Sequence, residues 1–345
     1  MLIFDGHNDT LLALHDPGRG KGRSFFERTR HGELDLPRAR EGGLRGGFFA
    51  CFVPGVEPMD PTAARAPDQP PQPAITRARA VQATFAMIGI ALGLEAAKPP
   101  GVRIVRGAAD LDAGWPGEAI GPLLAVLHLE GAEALDPSLG DLAAFHALGV
   151  RSLGLTWSRP NAFGHGVPFA YPSSPDTGPG LTEAGRSLVL MCERLGIVID
   201  LAHLNERGFW DVASQSVRPL VVSHTAAHAL CPSARNLTDA QLDRVGASGG
   251  IVGLTFHTED LTGEKTAARA DVVRHVAYVA ERIGVEHVAL GSDFDGARMP
   301  EDLPDASALP ALVDDLRATG FDEGGIAALA HGNWLRVLRA SLEPG

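Results

Sequence analysis

His7 and Asp9 stand two residues apart in LIFDGHND, at the end of the chain's first apolar run. Five later apolar runs end on side chains of the same kind. Glu130 closes LLAVLHLE, His203 closes IVIDLAH, His224 closes PLVVSH, His257 closes IVGLTFH and Asp293 closes HVALGSD. A lone histidine after an apolar run is most often a hydrogen-bonded structural residue. Six runs ending on imidazole or carboxylate demand another account, and metal ligation is the chemistry these groups share. In an extended chain residues i and i+2 share a face, so His7 and Asp9 can meet one cation together. If the runs are neighbouring strands, His203 and His224 lie roughly 5 Å apart in the ladder direction and can share a second cation. Glu130 has two oxygens and can bridge both. Such donors fit catalytic zinc better than calcium or magnesium, whose shells are built of oxygen. Two ions about 3.5–4 Å apart generate a bridging hydroxide and polarise a carbonyl, which is hydrolytic chemistry.

Residues so placed need a scaffold that gathers many strand ends. The strand candidates are 2–6, 46–53, 123–130, 150–157, 197–203, 219–224, 251–257 and 287–293. Their near-continuous hydrophobicity fits strands buried on both faces of a parallel sheet. Between them lie helical patterns. Residues 74–97 have apolar spacing near 3.6, and 182–196 run from a capping Thr182 to a terminating Gly196. Thr238 is a further cap, and 267–283 and 322–340 supply the last two helices. Eight βα units in series predict an α/β fold, a (β/α)8 TIM barrel with its chemistry at the C-terminal strand ends. A doubly wound open sheet comes second, because no glycine-rich phosphate loop follows the first strand. The expectation is one barrel domain over 1–345 with two long loops, 54–73 with seven prolines and 158–180. Loops of that length commonly wall or cover a substrate site.

Composition narrows the function. The net charge of −12, with 21% charged residues, argues against nucleic acid, which needs a basic face. The N-terminus has no signal-peptide pattern, and no apolar run is long enough to span a bilayer. Cys51, Cys192 and Cys231 are scattered and odd in number, which fits reduced thiols in a cytoplasmic protein. The only lysines are Lys21, Lys98 and Lys265, and none follows a strand-like run. That disfavours a Schiff base or a metal bridge made from lysine.

The stretches DGHND, HLEGAEAL, GLTEAGRSLVLMCERLGIVIDLAH, VVSHTAAHAL, SARNLTD, GSDFDG and HGNWLRV follow in this order over nearly the whole chain. In them the sequence resembles the membrane or renal dipeptidases and their bacterial relatives, peptidase family M19, within the amidohydrolase-type barrels. The resemblance implies a zinc-dependent dipeptidase whose substrates include L-Xaa-D-Xaa dipeptides. It implies that His7, Asp9 and Glu130 bind one Zn2+ while Glu130, His203 and His224 bind the other. Glu130 and Asp293 would be catalytic, Asp293 handling the proton of the attacking water. Arg235 would grip the terminal carboxylate, which a planar guanidinium matches bidentately. A homodimer is implied as well.

Plainer readings stand beside these. Asp293 can serve only to orient a ligand histidine, and Asp295 can compete for its role. Arg235 can be a surface ion-pair partner. His128 is expected in the core, and His15, His31, His146, His275 and His287 have no supporting pattern. The chain also departs from the family. Where the mammalian enzymes have a histidine in LTHS, LTWSRPNAFGHG has Trp157, which can donate one hydrogen bond but carries no charge. His165 in the following loop can supply an imidazole from another direction. His257 stands where the mammalian tyrosine does, and with Trp157 it is placed on the substrate. A second hypothesis keeps the metals and changes the substrate to an N-acyl amino acid, another non-peptide amide or a lactone.

Overall fold

Nine short strands form a single parallel sheet in the computed structural model, which describes residues 1–55, 65–115 and 121–343. The middle of the proline-rich stretch lies outside the described residues. The strands are β1 (Ile3–Asn8), β2 (Leu44–Phe52), β3 (Val102–Ile104), β4 (Leu123–Glu130) and β5 (Val150–Gly154), then β6 (Val198–Asp200), β7 (Val221–Thr225), β8 (Ile251–Leu254) and β9 (Val288–Leu290). Eight of them run in the order β1-β2-β4-β5-β6-β7-β8-β9. These are the eight expected from the sequence, several of them shorter. β5 ends at Gly154 and leaves Trp157 in the loop beyond it. The unexpected β3 pairs with β4 at residues 123–125, and β5 pairs with β4 at 127–129.

The sheet curls into a nearly closed barrel. At the end of β1 and past the end of β9, Asn8 and Phe294 form a parallel bridge. Asp293 N–H donates to the His7 carbonyl at 3.0 Å, and Asp9 N–H to that of Phe294 at 2.8 Å. The strand alternation then decides what faces inward. In β4, Leu124 and Val126 join Phe4, Phe48, Val198, Val221, Ile251 and Ala289 on the barrel floor. Leu123, Ala125, Leu127 and Leu129 pack in the other core, with the helices. His128 and Glu130 continue the inward series toward the rim.

The C-terminal helix Asn333–Ser341 seals the floor. Trp334 is fully buried there, and its indole N–H donates to the Leu290 carbonyl at 2.9 Å. A Cβ at Gly6 would lie 2.5 Å from the Trp334 ring, so β1 can pass only as glycine at this point. The helix expected at 322–340 is broken by a π-helical turn at Ala328–Gly332, and a helix at Leu309–Ala318 precedes it. Caps stand where the sequence puts them. Thr182 accepts from Gly185 N–H, Gly196 is left-handed (φ 67°), and Thr238 closes a capping box with Gln241.

Candidate metal centre

Six of the sequence-predicted side chains converge at the C-terminal end of the barrel. His7 lies in β1, but Asp9 has left the strand (φ −100°, ψ 25°) and stands at the start of helix Thr10–His15. The i, i+2 spacing therefore works through a turn rather than through a regular strand. His7 Nε2 is 4.0 Å from Asp9 Oδ2 and 3.5 Å from Glu130 Oε2. Glu130 Oε1 is 3.0 Å from His203 Nε2 and 3.9 Å from His224 Nε2. Among the described residues three donor groups could each hold an ion, their atoms within 4.8 Å of one another: His7, Asp9 and Glu130; Glu130, His203 and His224; and His7, His224 and Asp293.

The donors fit a cation. His7 Nε2, Asp9 Oδ1 and Glu130 Oε2 are buried without any hydrogen-bond partner among the described residues, which in a packed core is costly. His203 Nε2 and His224 Nε2 face each other at 3.0 Å. Ser223 Oγ spends its proton on Asp200, so at 2.8 Å it accepts from His224 Nδ1–H. That leaves His224 Nε2 as a lone pair pointing inward. On the other side His203 Nδ1 meets Ser158 Oγ at 2.8 Å.

Electrostatics agree. Burial drives His203 down to about 4 and His224 well below its ordinary value, helped by the Arg235 charge, so both are neutral donors at pH 7. At His7 burial also pushes down, but Glu130, Asp9 and Asp293 outweigh it and raise the imidazole to about 10. Burial pushes Glu130 up, while His7 and His203 hold it well below the carboxylate range. A field that keeps a proton on His7 this firmly favours a metal cation at the same place.

Two serines and two aspartates that sequence reasoning missed hold this set in place. Asp200 accepts both the N–H (2.7 Å) and the hydroxyl of Ser223, the residue before His224. Asp5 likewise accepts the N–H (2.7 Å) and the hydroxyl (2.8 Å) of Ser292, the residue before Asp293. His128 is buried and bonds Ser152 Oγ at 2.9 Å, as a core histidine does.

The remaining predicted residues surround the cluster. Arg235 is buried rather than a surface ion-pair partner. Among the described residues its Nε has no partner, and its Nη2 donates only to the His224 carbonyl at 3.3 Å. The Trp157 ring lies 5.7 Å from that of His203, 4.8 Å from Phe52 and 5.4 Å from Phe169. Behind it the buried Arg159 guanidinium lies 5.1 Å over the indole and bonds Glu133 at 2.6 Å. The 158–180 loop sits against the site, Val167 N–H donating to the His203 carbonyl at 2.8 Å. The His165 ring lies beside Gly178 within that loop.

Sequence settles the kinship of this geometry. The model of the membrane dipeptidase family, peptidase family M19, matches residues 1–343. The chain belongs to that family. A metallopeptidase of Rhodobacter sphaeroides, solved with a phosphinate mimic of the dipeptide L-Ala-D-Ala, is 44% identical, with 99% of each chain covered and a TM-score of 0.93. A dipeptidase of Aspergillus oryzae is 30% identical over 97% of this chain and 77% of its own. An uncharacterised Klebsiella pneumoniae protein is 47% identical over 63% of this chain and 82% of its own. As a membrane dipeptidase family member, the protein is a metal-dependent dipeptidase. Despite the family's name, no helix among the described residues is long and apolar enough to cross a membrane.

His257, outside the three donor groups of this dipeptidase, is paired with two carboxylates. Its Nδ1 is 3.2 Å from Asp260 Oδ2 and its Nε2 is 3.2 Å from Glu259 Oε2. Burial alone would push the imidazole down, but Asp260 and then Glu259 outweigh it and raise it to about 9. Because the folded value lies above the ordinary one, this stabilisation is complete below about pH 6.5 and fades as pH rises through about 9. It is worth at most about 3 kcal/mol. Wild-type protein is therefore expected to lose denaturation midpoint between pH 7 and 9, and His257→Gln to flatten that slope. Parallel curves for the two proteins would refute the charged imidazole.

Proposed function

We propose that His7, Asp9 and Glu130 hold one zinc ion and that Glu130, His203 and His224 hold a second. The split of Glu130 carries the proposal, one oxygen toward His7 and the other toward His203 and His224. Zinc at such a site activates water near neutral pH and polarises a carbonyl. The chain's own groups supply the rest. Burial raises Asp293 to about 6, against the pull of His7 and His257, a value at which a carboxyl both takes and gives a proton near neutrality. Asp293 takes the proton of the attacking water and returns it to the leaving amine. Arg235, buried with an unspent Nε donor, receives the substrate's terminal carboxylate. That restricts the site to short peptides.

Trp157, Phe52 and Phe169 form an aromatic wall beside His203 for a substrate side chain. Trp157 cannot bear the charge of the histidine it replaces, and the protonated His257 offers a positive charge that acts on Asp293. The Rhodobacter sphaeroides relative binds a mimic of L-Ala-D-Ala, so L-Xaa-D-Xaa dipeptides are the proposed substrates of this chain too. A cytoplasmic setting is proposed on the three buried free cysteines.

The test is metal content with a substrate panel. Zinc-replete protein is expected to hold about two ions per chain. It should hydrolyse L,D and L,L dipeptides, and leave N-acyl amino acids nearly untouched. Fewer than one ion per chain would sink the two-metal reading. Turnover of N-acyl substrates alone would move the activity away from dipeptides.

A further inference from the structure

Asp295 follows Asp293 by two residues and has the same chemistry, but its carboxylate is fully committed. Oδ2 meets Arg23 Nη2 and accepts from Thr10 Oγ1 at 2.9 Å, while Oδ1 accepts from Glu33 N–H at 2.7 Å. Its own N–H donates to Glu33 Oε2. The side chain is fully buried, and that of Arg23 is 1% exposed. A carboxylate buried under three protein donors is closed to substrate, so Asp295 is no rival to Asp293 as proton carrier.

What it holds is the turn that carries Asp293. Asp293 (φ 64°) and Asp295 (φ 67°) are both left-handed, a conformation uncommon outside glycine and one that aspartate tolerates better than most side chains. The turn rests directly on the reacting groups. A Cβ at Gly296 would lie 2.1 Å from Asp9 Oδ2 and 2.4 Å from Asp293 Oδ1. Thr10, which donates to Asp295, is the neighbour of Asp9. Arg23 also bonds the His31 carbonyl at 3.0 Å, tying in the segment between β1 and β2.

We infer that Asp295, held by Arg23, Thr10 and Glu33, is a positioning residue that fixes the Asp293 carboxylate for proton transfer, an inference that rests on Asp293 being the proton carrier. Nothing in it requires Asp295 to touch substrate. Its loss should lower turnover without weakening substrate binding, since a small misplacement of a catalytic group costs rate first. Asp295→Asn keeps the shape and removes the charge that Arg23 meets.

The expected result for Asp295→Asn is a fall in kcat of about 10- to 100-fold, with KM within about twofold and bound metal unchanged. Arg23→Gln should do the same and Arg23→Lys should recover part of the loss. In an Asp293→Asn background, adding Asp295→Asn should cost nothing more, because the two act through one proton transfer. Wild-type kcat in both Asp295→Asn and Arg23→Gln would overturn the inference. So would full additivity with Asp293→Asn, or a loss of activity that tracks lost metal. If Asp293→Asn itself leaves kcat intact, the proton-carrier assignment falls first. If it cripples turnover while Asp295→Asn does not, only the positioning role falls.

Discussion

Replacing Glu130 by glutamine is expected to remove at least one bound metal per chain and to lower kcat by about 10³-fold or more, equivalent to roughly 4 kcal/mol of lost transition-state stabilisation. The two oxygens of Glu130 are the reason. One lies 3.5 Å from His7 Nε2 and the other 3.0 Å from His203 Nε2, so each serves a different donor group. An amide keeps one acceptor and turns the other position into an N–H₂ donor, which cannot ligate. Whichever way the glutamine turns, one group loses a donor. The charge matters as well, since His7 and His203 hold Glu130 ionised well below the carboxylate range. Metal analysis and steady-state kinetics on the same preparation check the result, with a thermal melt to show that the variant folds. A variant with wild-type metal content and kcat within tenfold would remove Glu130 from the bridge.

The site was legible in the sequence to the extent that each functional group ends its own apolar run. Glu130, His203 and His224 are of that kind, and strand alternation carries Glu130 inward through Leu124, Val126 and His128. What escaped depends on partners that chain order does not join. Asp5 and Ser292 lie 287 positions apart and meet only because the barrel closes there. Asp200 and Ser223 meet only because β6 and β7 are neighbours. A serine before His224 or Asp293 is too common a residue to announce itself without that adjacency. Backbone conformation was equally hidden, since nothing in the residue type alone marks His203 (φ 64°) as left-handed. β3 escaped for a simpler reason. Three residues with an exposed Arg103 at the centre give no run to see.

Arg235→Ala should raise KM for free-carboxylate dipeptides by about 10- to 100-fold, the worth of one or two charge-assisted hydrogen bonds. The side chain is buried, and burial holds its pKa below that of a free arginine despite the pull of Asp260 and Asp293. No carboxylate forms a salt bridge with it among the described residues; Arg65 takes Asp260 at 2.8 Å instead. A buried guanidinium with an unspent Nε is prepared for an anion that arrives from outside. Removing it therefore strands no partner charge, and the fold should tolerate the change far better than it would the loss of one member of a buried pair. Lysine should restore the charge but only part of the KM, because a point ammonium cannot reproduce the two parallel bonds of the fork. The control is a dipeptide amide. Without a terminal carboxylate it should bind wild type and Arg235→Ala about equally poorly, so an equal KM penalty on amide and free acid would show that Arg235 shapes the pocket instead of gripping the carboxylate.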